Sequence, residues 1–72
     1  MHMMKTIPEL VREVEERAKA GGVSVDALCA KSGVSRAAWQ RWKAGATEPS
    51  LTRWRRVEDA LAYLIKQRKR AA

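Results

Sequence analysis

At 72 residues the chain is one domain near the lower limit at which a hydrophobic core stabilises itself, and its net charge of +7 points to an anionic partner. A single cysteine excludes an internal disulfide and suits a reducing cytoplasm; no apolar run is long enough to cross a membrane or form a secretory leader. No Gly-rich phosphate loop, His–carboxylate pair or Cys/His metal spacing is present, so the expectation is a non-enzyme without cofactor, metal or small-molecule ligand.

Residues 1–5 read as a flexible start, and His2 there has no second metal ligand near it. Thr6-Ile7-Pro8-Glu9 is a capping box, with Pro8 tolerated in the first turn, and it opens a helix that continues to about Ala20. Ile7, Leu10, Val11, Val14 and Ala18 form its apolar stripe. Outside the stripe, Glu13 with Arg17 and Glu15 with Lys19 stand at the i,i+4 spacing of ion pairs. This helix is scaffold: its acidic outer face belongs away from an anionic partner. Gly21 and Gly22 end it. Up to Ser24 the charges cancel, Lys5, Arg12, Arg17 and Lys19 against Glu9, Glu13, Glu15 and Glu16, so the whole excess of +7 lies further on.

Ser24 caps a second helix, Val25–Ser32, with Leu28 and Cys29 inward. Gly33 breaks it, Val34 turns back to the core, and Ser35 caps a third helix, Arg36–Ala44, which Gly45 ends. Two helices joined by so short a turn cross steeply, as in a helix-turn-helix. At about 100° per residue, Ala38, Trp39 and Trp42 share one side of the third helix; Arg36, Ala37, Gln40, Arg41 and Ala44 share the other. That outer side has no carboxylate. Arginine can bond guanine bidentately, glutamine can do the same to adenine, and alanine allows close approach and contact with a thymine methyl. The competing reading is a solvated basic surface. The tryptophans read as core, against a stacking platform for single strands, and Cys29 reads as a small buried apolar residue rather than a nucleophile.

Residues 46–49 form a loop. Ser50 caps the last helix, residues 51 to about 69, whose inner stripe is Leu51, Trp54, Val57, Leu61, Leu64 and Ile65. Tyr63 lies nearly opposite, beside Ala60 and Arg56, and Lys66 to Arg70 are too charged to pack and should fray. The organisation is thus a flexible start (1–5), an all-α DNA-binding domain (6–66, with its helix-turn-helix unit at 25–44) and a basic tail (67–72).

Residues 24–61 resemble the helix-turn-helix of the phage repressor and Cro family, also called the XRE type. The matching positions are Leu28, Cys29, Gly33-Val34-Ser35, Trp39, Trp42, Gly45, Pro49, Leu51, Trp54, Val57 and Leu61. The resemblance implies a compact four-helix, or five-helix, lambda-repressor-like domain, with the third helix in the major groove of a specific duplex. It departs from the family in three places. Val25 stands where the family often has glutamine, Lys43 stands where it often has glutamate, and its usual fifth helix is missing.

On this reading Arg36, Ala37, Gln40 and Arg41 contact bases. Ser24 and Ser35, at helix N-termini, hold phosphates with the flanking Lys43, Thr47 and Arg53. A single unit reads few base pairs, so a homodimer on paired half-sites is expected, with Tyr63, Leu64 and Ile65 as its interface. The alternative for Leu64 and Ile65 is that they complete the core. The function expected is a small phage- or plasmid-type transcriptional repressor, cytoplasmic, nucleoid-associated or phage-encoded. The alternatives are a non-transcriptional DNA accessory factor, an antitoxin-like or adaptor module for an acidic protein, and RNA or membrane-surface binding through the basic end.

Overall fold

The computed structural model describes residues 5–71; His2 and all but Lys5 of the start expected to be flexible lie outside them, as does Ala72. Four helices follow in order: α1 (Ile7–Ala20), α2 (Val25–Ser32), α3 (Arg36–Ala44) and α4 (Leu51–Ala71), with no strand among the described residues. The protein is a small all-α domain.

Each helix starts where a hydroxyl can take up an orphan amide. Thr6, Ser24, Ser35 and Ser50 accept from the backbone N–H groups of Glu9, Ala27, Ala38 and Arg53, at 3.3, 3.0, 3.0 and 3.1 Å. At α1 the capping box closes reciprocally. The Thr6 backbone N–H donates to the Glu9 carboxylate at 2.9 Å, and with the Thr6 hydroxyl it holds that carboxyl below its ordinary range. The joint between α2 and α3 is set by Gly33, at φ 74° and ψ 24°. Its left-handed backbone lets Val34 N–H reach Cys29 C=O at 3.0 Å and turns Val34 into the core. A β-carbon at Gly33 would meet nothing within 4 Å, so glycine stands there for its backbone conformation and not for space.

Packing runs in a crossed pattern, α1 against α3 and α2 against α4. Val11, Val14 and Ala18 from α1, Leu28 and Cys29 from α2, and Val57, Ala60 and Leu61 from α4 surround Val34, Trp39 and Trp42. The three indoles form one cluster. Trp39 lies 5.9 Å from Trp42 and 6.4 Å from Trp54, nearly parallel to the latter at 12°, and Trp42 meets Trp54 edge-on at 6.4 Å. Trp39 and Trp42 are buried and Trp54 is half-buried, which places them in the core as the helical spacing implies.

Four expectations need correction. Leu51 does not belong to the inner stripe: it is 67% exposed, because the first turn of α4 projects it about 120° from Val57. Ala60 is buried, since α2 packs on α4 from that side. The basic end is not a segment apart from the helix: α4 is continuous to Ala71. The pairs Glu13 with Arg17 and Glu15 with Lys19 do not form. Glu13 meets Lys5, Arg17 meets Glu58 at 3.8 Å, and Glu15 turns to α3.

Burial pushes the Cys29 thiol above its ordinary pKa, and the neighbouring Arg36 offsets only part of this. The unfolded chain releases that proton at lower pH. This contribution to stability is therefore complete below the ordinary thiol pKa and is lost as pH rises from there through the raised folded-state value. A disulfide reagent at mildly alkaline pH should react with Cys29 only as fast as the protein opens; instant reaction in native protein would contradict its burial.

Candidate nucleic-acid interface

The exposed side of α3 is built by exclusion. Trp39 and Trp42 commit one side to the core, and rotation of about 100° per residue then presents Arg36, Ala37, Gln40, Arg41 and Ala44 outward. All five are exposed, and α3 itself contains no acidic residue. The two caps beside it remain useful donors. Ser24 and Ser35 accept backbone amides through their oxygens, which leaves each hydroxyl proton free for an anion.

Two carboxylates from other helices reach this side, and the sequence reading places neither there. Asp26, at the start of α2, forms an ion pair with Arg36, its Oδ1 3.1 Å from Nε. The pair is open to solvent, with the Asp26 side chain 82% exposed, so it contributes less than about 1 kcal/mol and is readily given up. Glu15 is engaged more closely. Its Oε2 accepts from the Trp39 indole N–H at 2.9 Å, and its Oε1 meets Lys43 Nζ at 3.0 Å. One α1 carboxylate thus ties down both the buried anchor of α3 and a cation on its flank. The signal was present in the spacing: Glu15 follows Val11 by four residues, about 40° round the helix and at the edge of the apolar stripe.

The ends of α1 and α2 and the flank of α3 enclose a shallow groove of about 410 Å³. It gathers Ser24, Arg36, Gln40 and Lys43 with Lys19 and Glu15. Four of the expected nucleic-acid contacts therefore share one concavity. Ser35, Ala37, Arg41, Thr47 and Arg53 are also exposed but do not line it. Lys43 is not a free cation, since it is already paired with Glu15.

The three residues expected at a dimer interface do not form one surface. Successive residues of α4 diverge by about 100°. Tyr63, 47% exposed, faces a groove of about 390 Å³ between α2 and α4, where Lys31 Nζ lies 4.3 Å from its ring centroid. Leu64 and Ile65 are half-buried against the core, and Ile65 covers Gly21.

Comparison with known proteins found no matching family model, no matching curated protein and no matching solved structure. The interface is therefore argued on its own geometry. An outward helix side with two arginines, one amide and two methyl-sized residues can enter a groove and hydrogen-bond base edges. Hydroxyls and lysines at its margins can hold phosphates. Among the described residues no group of three or more His, Cys, Asp or Glu side chains is placed to hold a metal. No helix is long and apolar enough to cross a membrane.

Proposed function

We propose that this protein binds duplex DNA with sequence specificity through α3, acting as a homodimeric transcriptional repressor. The observation that carries the reading is the exposed side of α3, a helix with no acidic residue of its own, with Arg36, Ala37, Gln40 and Arg41 outward and Trp39 and Trp42 fixing it from behind. Arg41 and Gln40 have no recorded side-chain bond to surrender among the described residues, so they are the primary readers. Arg36 reads once it gives up Asp26. Ser24, Ser35, Thr47 and Arg53 hold the backbone, and Lys43 does so once released from Glu15. Repression needs only occupancy of a promoter, which a unit of this size can supply.

Pairing of two copies supplies the second half-site. With Leu64 and Ile65 largely committed to the core, Leu51 and Tyr63 are the large apolar side chains left exposed among the described residues, on different sides of α4, and either can seat that contact. A second reading, an adaptor for an acidic protein segment, draws on the groove in which Lys31 and Arg56, against one carboxylate, Asp59, flank Tyr63.

Selection of bound duplexes from a random library tests the proposal. A palindromic consensus is expected; recovery of unrelated sequences would overturn it. Glu15→Gln probes the arrangement further. The amide oxygen can still accept from Trp39, so the fold should persist, while Lys43 loses its partner and a negative charge leaves the DNA-facing groove. Binding to any duplex should tighten, and its salt dependence should steepen by about one unit of logarithmic slope. An unchanged slope would remove Lys43 from the footprint.

A further inference from the structure

The basic end of α4 is not a loose tail. The helix is continuous to Ala71, and its last turns rest on the Gly21-Gly22 corner. A β-carbon at Gly21 would lie 2.7 Å from Ile65 Cγ1, and one at Gly22 would lie 3.1 Å from Arg68 Cδ and 3.3 Å from its Cζ. The glycine pair thus admits two α4 side chains against bare backbone, with Ile65 as anchor and Arg68 laid across the corner. Lys69 follows Ile65 by four residues and shares that side of the helix.

The corner adjoins the DNA side. Gly22 stands two residues before Ser24, the cap of α2, and Lys19, Ser24 and Arg36 line the same groove. Cations therefore recur from α3 (Arg36) past the start of α2 (Lys19) to the end of α4 (Arg68 and Lys69), with Asp26 and Glu15 as the carboxylates among them. Among the described residues no carboxylate oxygen lies within 4.0 Å of the charged nitrogens of Arg68 or Lys69. The charge at a helix C-terminus also favours its own dipole, but that would not require Arg68 to be laid over the α1–α2 corner.

We propose that the end of α4 is a second nucleic-acid contact, in which Arg68 and Lys69 bind phosphates of the duplex backbone flanking the base pairs under α3. The footprint then extends beyond the helix-turn-helix on the side of the α2 N-terminus. This rests on the duplex-binding reading above, but not on sequence specificity, since phosphate contacts are made to any sequence.

The test uses the full chain and a random-sequence duplex of about 20 base pairs, two helical turns. Arg68→Gln with Lys69→Gln should lower the slope of log K against log salt by about two. Arg68→Lys, which keeps the charge, should leave it near the wild-type value. Circular dichroism checks that the helices persist. Should the double variant unfold, Lys69→Gln alone should lower the slope by about one. A wild-type slope in the folded double variant, or in Lys69→Gln if only that folds, overturns the proposal. So does a loss confined to phosphatidylserine vesicles, which would assign these charges to a lipid surface. If the selection experiment yields no consensus while the slope still falls, specificity fails and this contact stands. If wild-type protein binds no duplex, both fail together.

Discussion

Trp39→Ala is expected to abolish the folded state at room temperature. The indole is fully buried, touches two further tryptophans within 6.4 Å, and donates its N–H to Glu15. Truncating a buried tryptophan costs about 3–5 kcal/mol, as much as the roughly 3–5 kcal/mol that a single core supplies in a chain this short. The loss also falls on the residue that joins α3 to α1 and α4 at once, so little remains to hold the helix-turn-helix. Circular dichroism should show low helicity and a broad melt without a cooperative step. Trp39→Phe is the informative companion: it keeps an aromatic in the cluster, loses the bond to Glu15, and should remain folded with a lower urea midpoint. A Trp39→Ala protein that melts like the wild type would mean the indole cluster is not what holds α3.

Arg41→Ala should have the opposite profile, unchanged stability and damaged recognition. Its side chain is exposed and makes no recorded ion pair among the described residues, so the fold loses nothing by its removal. On the selected consensus duplex, loss of one bidentate base contact should cost about 1–3 kcal/mol, and the preference at one base-pair position should relax. Gln40→Ala should behave alike at a neighbouring position. Equal losses on consensus and random duplex would demote these residues to phosphate contacts. Arg36→Ala is less clean, because it also releases Asp26 and uncovers Cys29.

The local signals in the sequence were strong. Four hydroxyl caps, the glycines at 33 and 45 and the apolar spacing of α1 gave the starts of all four helices and the ends of the first three, because caps and left-handed turns depend on residues a few positions apart. The outward side of α3 was legible for the same reason: two tryptophans three residues apart leave only one side free. Periodicity says less about where a neighbouring helix stops. Leu51 is turned outward by the first turn of α4, Leu64 packs against the core and Ile65 covers the Gly21 corner, which only the path of α4 across α1 reveals. Glu15 was misread because a charge at the edge of an apolar stripe looks solvated until a distant indole and ammonium arrive to meet it. The same holds for the end of α4, whose charges suggest fraying unless a glycine pair elsewhere in the chain is known to receive it.

The claim that α3 reads bases is tested most directly by comparing the full chain on its selected duplex and on a scrambled duplex of equal composition, by fluorescence anisotropy at about 0.15 M salt. Binding to the selected duplex should be tighter by about 10³-fold or more, and Arg41→Ala should reduce that ratio by about 5–150-fold. Equal affinities for selected duplex, scrambled duplex and single strand would contradict it, and would leave the outward side of α3 a basic surface without a code.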